Sequence, residues 1–336
     1  MRGHCMIAIG ASAGGVEALK EIVRGLPPDL PASVLIVNHL SPHHPTYLPE
    51  ILSNAGALPV SLPRDSEEIV RGHVYLAPPD YHMVVKHGRI YLGQGPKENF
   101  ARPAIDPLFR SAALAYGSQL IGVILTGAQN DGTSGLWAVK ERGGVAIVQD
   151  PKDAYFPSMP QSALDKVKAD YCLPVSEIAP VLIRLANDPV EEEGEHLVPE
   201  KLQLETGIAK EEVDANQVIE KLGTLSAYTC PECHGVLWVI HEGEIIRFRC
   251  RTGHAYTAEA LRERLSESIE NILWDAVRAL EESAALARHI AEASVKGEGR
   301  SSAENLIIEA QSTERLVDSI RRTMQAYEQT FNASPQ

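Results

Sequence analysis

The sequence predicts an α/β protein: a doubly wound, mostly parallel sheet, followed by a small zinc-stapled β-hairpin module and a helical hairpin. Three observations carry this. Short β-branched runs alternate with helical segments through the first half of the 336 residues. Two pairs of metal-ligating residues bracket a hairpin-like stretch around residue 240. Beyond residue 258 the apolar residues recur every three or four positions, as on an amphipathic helix.

The elements follow in order. MIAIG (6–10) predicts the first strand and VEALKEIVRGL the helix after it; SVLIVNH (33–39), HVYLAP (73–78), LIGVILTG (120–127) and GGVAIVQD (143–150) continue the series. Runs this uniformly apolar suit parallel strands covered on both faces. VVKHGRIYLG (84–93) alternates instead and predicts a hairpin turning at His87-Gly88. LPVSEIAPVLIRLAN (173–187) is the last helix of a domain spanning 1–188. Residues 189–223 are acid-rich and weakly patterned, a linker with one or two short helices. Residues 224–257 form the hairpin module, with strands VLWVI and EIIRFR joined through His241-Glu242-Gly243. Residues 258–332 carry two stripes. The first runs Leu261, Leu265, Ile269, Ile272, Ala276, Leu280, Ala284, Ala287, Ile290; the second runs Leu306, Ala310, Thr313, Val317, Ile320, Met324, Tyr327. They predict an antiparallel helical hairpin, or one half of an oligomeric bundle.

Composition narrows the function. With 31 basic and 45 acidic side chains the net charge is −14, a poor match for bare nucleic acid or an anionic membrane. The acidity is local: residues 1–188 carry −2 and residues 189–336 carry −12, which points to a solvated linker and to a basic partner for the tail. No run approaches the ~18 apolar residues of a membrane span, and no apolar leader precedes the first strand, so a cytoplasmic protein is expected. Five cysteines, an odd number, argue against a disulfide framework.

Gly10-Ala11-Ser12-Ala13-Gly14-Gly15 joins the first strand to the first helix. Its glycines allow a tight turn, and the helix behind it offers unpaired N–H groups. Ser12 would project at the carboxyl edge of the sheet, as a nucleophile elbow or as a phosphate-binding turn. His39 ends the second apolar strand and should emerge at the same edge, although His43, His44, His73 and His82 are further histidines in reach on composition. Asp131 lies in the glycine-flanked turn after GVILT, where an aspartate is also a common turn former. Together Ser12, His39 and Asp131 make a candidate nucleophile, general base and orienter.

Taken in order, IAIGASAGG, VNH, HVYLAPPDYHM, RPAIDPLFRSAA, GVILTGAQNDGTSG and QDPKDAYFPSMPQSAL resemble the catalytic domain of CheB-type protein-glutamate methylesterases, over about residues 5–187. The resemblance implies a Ser12–His39–Asp131 triad and backbone oxyanion donors at Ala13 and Ala128. It implies hydrolysis of γ-glutamyl methyl esters on a methylated receptor or signalling protein, with glutamine deamidation in some relatives, and no cofactor for catalysis. Two positions depart from the family pattern: Ala13 stands where threonine is common, and Ala128 where a methionine is usual. The usual phosphoreceiver domain is not expected ahead of a first strand at residue 6, nor is control by phosphorylation in cis. Two other readings stand beside this one: a silent regulatory binding protein that keeps the esterase fold, and an esterase for a small molecule.

Cys230-Pro231-Glu232-Cys233 and Cys250-Arg251-Thr252-Gly253-His254 match a closed Cys₃His zinc site of structural type. Reduced packed cysteines and a redox C-x-x-C are the alternatives, and His234 or His241 could replace His254 as the fourth ligand. Cys5 and Cys172 are left over as expected buried thiols. Arg247, Arg249 and Arg251 cluster, but among too many acids to favour nucleic acid. The region after residue 224 also resembles C-terminal extensions of some CheB-like proteins. For the helices, docking of a partner or self-association is expected.

Overall fold

Alternation of buried apolar runs with helices builds the first half of the chain. The structure is a computed structural model describing residues 5–39, 46–188, 199–294 and 300–332. In chain order the elements are β1 (Cys5–Ala11), α1 (Gly15–Gly25), β2 (Ala32–Asn38), α2 (Leu48–Ala55), β3 (Val60–Ser61), β4 (Glu67–Glu68), β5 (Val74–Leu76), β6 (His82–Lys86), β7 (Arg89–Gly93), α3 (Ile105–Tyr116), β8 (Leu120–Ile124), α4 (Thr133–Glu141), β9 (Val145–Gln149), α5 (Ser158–Lys166), β10 (Tyr171–Leu173) and α6 (Val175–Asn187). The seven-stranded sheet has the order β10-β9-β8-β1-β2-β5-β3, and its pairs are parallel. Every residue of β1 and β2 is buried, because one sheet face packs under α3 and α4 and the other under α1 and α6.

β1 is central, between β2 and β8. From β1 the chain winds outward through β2 and β5, then returns to β8 and winds the other way. The carboxyl ends of β1, β2 and β8 therefore lie side by side at the reversal of strand order, the ligand-binding position of open α/β sheets. The expected hairpin is β6–β7, with His87 (φ 49°) and Gly88 (φ 70°) in the left-handed conformation that a two-residue turn requires. Cys5 is buried, but Cys172 is exposed, contrary to expectation: it lies on β10, an edge strand with one paired neighbour.

After residue 199 come α7 (Glu200–Ala209), α8 (Ala215–Leu222), β11 (Thr224–Thr229), β12 (Val236–Glu242), β13 (Ile245–Cys250) and β14 (Ala255–Thr257), the last four strands forming an antiparallel sheet in chain order. β12 runs on to Glu242, so the turn falls at Gly243-Glu244, later than the sequence suggests; Gly243 takes φ 58°. Residues up to Leu261 pack as one compact unit and residues from Arg262 as another. The long helices are α9 (Ala258–Ser294) and α10 (Arg300–Asn332).

Within the second unit α9 and α10 meet through Leu273, Val277, Leu280, Ala284 and Ala287 against Leu306, Ala310, Val317, Ile320 and Met324. The expected α9 stripe is only partly this one. Leu265, Ile269, Ile272 and Ile290 are exposed, because the helix carries two overlapping apolar series and the one rich in alanine allows the closer approach of α10.

Candidate active site

Ser12 follows β1 in a turn closed by Gly15 N–H donating to its carbonyl (2.9 Å), and Gly14 takes φ 74° there. A β-carbon on Gly127 would fall 2.9 Å from that of Ser12 and 2.6 Å from the Met159 methyl, so the β8 loop can approach only as glycine. His39 follows β2, its N–H donating to Ala11 C=O (3.2 Å). Asp131 ends the loop after β8, directly before α4.

These three side chains meet. Ser12 Oγ lies 3.0 Å from His39 Nδ1, and His39 Nε2 lies 2.8 Å from Asp131 Oδ2. With Asp131 ionised, Nε2 carries the proton and Nδ1 is free to accept from the serine hydroxyl. The two ring nitrogens are used in the opposite sense to the serine proteases, where Nε2 faces the nucleophile. His39 is partly open to solvent at 23 % side-chain exposure, whereas Asp131 is sealed at 1 %.

Burial works against the Asp131 charge, but the His39 contact, Ile105 N–H (2.6 Å) and the Asn99 amide (3.0 Å) outweigh it and hold the carboxyl below the usual aspartate range. Gly132 N–H (3.0 Å) adds a further donor. Close by, Asp106 is pushed up to about 7, by burial first and by the Asp131 charge second. The amides at Ser12 and Gly127 are spent on Thr126 C=O and Phe156 C=O. Those of Ala13 and Ala128 have no protein partner among the described residues.

The other histidines are accounted for differently. His73 contacts Ser61 Oγ (2.8 Å), and buried His82 lies between Pro96 C=O (3.0 Å) and Ala104 N–H (3.3 Å). His43 and His44 lie outside the described residues.

Cys230, Cys233, Cys250 and His254 converge, their ligand atoms all within 4.8 Å of one another, and could hold a metal ion. Two backbone knuckles present them: His234 N–H closes on Cys230 C=O (2.9 Å), and Gly253 N–H closes on Cys250 C=O (3.0 Å). Gly253 takes φ 104°, and a β-carbon there would strike Pro96 at 2.7 Å. His234 and His241 are not in the cluster.

Sequence reasoning missed an ion cluster beside both sites. Glu98, Glu205, Arg110, Arg247 and Arg249 are each at most 2 % exposed. Arg249 donates to Glu98 (2.8 Å) and Glu205 (3.1 Å), Arg247 to Glu205 (2.8 Å) and Glu242 (2.7 Å), and Arg110 to Glu98. Burial opposes the Glu98 charge, yet Arg110, Arg249 and Arg247 bring its carboxyl down to about 2. Two of the three clustered arginines are thus internal ties; only Arg251 faces solvent. Among the described residues no helix is long and apolar enough to cross a membrane.

Comparison with known proteins agrees with this frame. The family model described as CheB methylesterase matches residues 7–182. A Leptospira interrogans protein named for protein-glutamate methylesterase and protein-glutamine glutaminase activity is 40% identical over 187 residues, covering 55% of this chain and 97% of that one. A Thermotoga maritima protein-glutamate methylesterase/protein-glutamine glutaminase is 38% identical over 184 residues, 54% of each chain. The crystal structure of the Thermotoga maritima CheB methylesterase catalytic domain superposes with a TM-score of 0.53 at 36% identity, over 55% of this chain and 99% of that one. Residues 183–336 lie outside the family match. The chain belongs to the CheB methylesterase family.

Proposed function

We propose that residues 1–188 are a serine hydrolase domain that cleaves γ-glutamyl methyl esters on a receptor-like signalling protein, and glutamine side-chain amides by the same route. The observation that carries this is the continuous Ser12–His39–Asp131 chain of hydrogen bonds at the switch point of a CheB-family sheet. Ser12 Oγ attacks the ester carbonyl as His39 Nδ1 takes its proton, and Asp131 stabilises the imidazolium through Nε2. The N–H groups of Ala13 and Ala128, without a protein partner among the described residues, receive the oxyanion. The C–O bond to methoxide breaks, His39 gives it the proton, and methanol leaves. Water, deprotonated by His39, then cleaves the glutamyl-Ser12 ester and restores both the carboxylate and the serine.

Methanol release from a methylated chemoreceptor signalling fragment tests this: Ser12→Ala should abolish it. Release at the original rate from Ser12→Ala would overturn the reading. A fluorophosphonate should label Ser12 and no other residue, which separates turnover from a silent binding role.

The Cys₃His cluster supports a structural zinc in the 224–257 module. The shorter ligand separations, Cys233–Cys250 and Cys250–His254 at 3.6 Å and Cys230–His254 at 3.8 Å, lie near the edge of about 3.8 Å that a tetrahedron with Zn–S bonds of about 2.3 Å requires. Four protein ligands close the site, so no catalytic step involves it. The helices α7 and α8 pack within the first unit, with Glu205, Ile208, Ile219 and Leu222 buried, so this part of 189–223 is not the solvated linker that its acidity predicts; the 258–332 hairpin serves as a surface for a partner or a second copy. With no membrane-crossing helix among the described residues, a cytoplasmic role alongside receptor tails fits.

A further inference from the structure

Asn99 lies in the loop between β7 and α3, 5 % exposed and with φ 48°. Its side-chain amide donates to Asp131 Oδ1 (3.0 Å) and to Asp106 Oδ2 (3.1 Å), so one NH₂ group stands between two buried carboxyls. Its own Oδ1 accepts the N–H of Thr257 (2.9 Å). That contact fixes which way the amide faces. A flipped amide would set its oxygen against two carboxyls and its NH₂ against a backbone donor, leaving four buried polar groups mismatched.

Thr257 belongs to β14, and the same strand grips the Asn99 backbone. Asn99 N–H donates to Ala255 C=O (2.8 Å), and Ala255 N–H donates to Lys97 C=O (3.2 Å). Beside Asp131 the grip is repeated: Thr257 Oγ1 donates to Asn130 Oδ1 (2.8 Å), and the Asn130 amide donates to Glu259 (2.9 Å). Five residues, Ala255 to Glu259, thus hold both the residue that hydrogen-bonds Asp131 and the residue that precedes it. The buried Glu98–Arg249 pair ties this strand's neighbour, β13, to the same loop. These polar contacts join the segment after residue 224 to the catalytic-type half beside an apolar one, Phe100 against Tyr256 (ring centroids 4.7 Å).

We propose that Asn99 is a positioning residue for the triad and that β14 sets its orientation, so that the C-terminal module completes the outer shell of the active site. Asp131 must present Oδ2 to His39, and what keeps it from rotating is the set of donors on Oδ1: Asn99, Gly132 N–H and the longer Asp106 N–H (3.3 Å). Asn99 is the side-chain member of that set, and its alignment is supplied from 158 residues further along the chain. The proposal rests on the triad reading above.

The test is the second-order rate of Ser12 labelling by a fluorophosphonate across pH in the full chain, together with the low-field NMR signal of the His39 Nε2 proton. Asn99→Ala should slow labelling by roughly 10- to 100-fold, as misplacement of a catalytic group does, and should shift or broaden that proton signal while circular dichroism is unchanged. Thr257→Pro, which removes the N–H that orients Asn99 together with the hydroxyl that holds Asn130, should do the same to a lesser degree, whereas Thr257→Val, which removes the hydroxyl alone, should slow labelling less than Thr257→Pro. Glu244→Ala, on the exposed turn of the same module, should leave both readouts unchanged. Asn99→Leu, nearly isosteric and without a donor, replaces Asn99→Ala should the latter not fold, with the same loss expected. Labelling at the original rate and pH dependence in Asn99→Ala or Asn99→Leu overturns the positioning role, and the original rate in Thr257→Pro overturns the part assigned to β14. Labelling that persists in Ser12→Ala overturns the triad reading instead, so the two failures are distinct.

Discussion

The triad candidates span residues 12 to 131 and the metal candidates residues 230 to 254, and the two sets are gathered by different forces. Ser12, His39 and Asp131 stand at the ends of adjacent parallel strands whose alignment is set by two large apolar clusters, one on each sheet face. The cysteine knuckles are backed by one small cluster around Leu237, Phe248, Tyr256 and Leu261. The first site is positioned by burial far from the chemistry. The second leans more on its own ligands, since this cluster and the one that Trp238 and Ile240 form with Ile208, Ile219 and Leu222 are both small beside the entropy of ordering the strands. The buried arginine–glutamate cluster lies between these cases: it uses paired charge where the sheet uses apolar area, although Arg110 Nε and Nη1, Arg247 Nη2 and Arg249 Nε make no hydrogen bond among the described residues.

The largest expected effect tests the first region without disturbing its frame. Asp131→Asn keeps the size of the side chain but turns an acceptor at His39 Nε2 into a donor. The imidazole then takes the other tautomer, with the proton on Nδ1 facing Ser12, where it cannot act as a base. Methanol release should fall by about 10⁴-fold, as in serine hydrolases with the same change, far more than the lost Ile105 N–H contact lowers folded stability. A drop of tenfold or less would mean that His39 does not depend on Asp131.

Cys250→Ser addresses the second region. The residue is fully buried and 3.6 Å from both Cys233 Sγ and His254 Nδ1. Loss of one ligand should release the metal, measured as zinc per chain by elemental analysis, and should expose the amides of β12 and β13 to rapid hydrogen exchange. Those of β1, β2 and β8 should stay protected, because their core is independent of the knuckles. Equal deprotection of both sheets would erase the contrast drawn here. Stoichiometric zinc retained by the variant would remove Cys250 from the ligand set.

How far these regions were legible follows the same division. Strands β1, β2, β5, β8 and β9 of the seven-stranded sheet could be read because each is an apolar run, a pattern that stays local in sequence; the edge strands β3 and β10, short and part-exposed, could not. The cysteine pairs could be read as well, since their spacing is their geometry. Asn99 could not: nothing around it is periodic, and its partners stand at 106, 131, 255 and 257. Arg247 and Arg249 could be read only as clustered charge, because sequence does not show the glutamates brought from Glu98 and Glu205. On α9 two apolar series overlap, and sequence cannot say which of them α10 covers.

Glu98→Gln should cost about 3–5 kcal/mol, the loss expected when one partner of a buried ion pair is removed and three arginines are left short of one compensating charge. The pH dependence has a definite sign. The Glu98 carboxyl lies at about 2 in the folded chain against 4.5 ordinarily, so its stabilisation is complete above 4.5 and fades as pH falls toward 2. Denaturant titrations should therefore show the gap between the original chain and Glu98→Gln at full width at neutral pH and narrowing below pH 4.5. A gap that widens on acidification would refute the assignment of charge to Glu98.

The smallest effect belongs to the outward series of α9. Ile272 is 62 % exposed, whereas Val277, one turn further along, is 2 % exposed and packs with Val317 and Met324. For a single chain Ile272→Ser should change stability by less than about 0.5 kcal/mol, the range of ordinary surface substitutions, while Val277→Ala should cost about 1–3 kcal/mol through the cavity it leaves. Thermal melts of both variants at two protein concentrations make the comparison quantitative. The Val277→Ala loss should not depend on concentration. A loss at Ile272 that grows with concentration would mean that the outward stripe is itself covered, by another copy of the chain, and that the hairpin is half of a larger bundle.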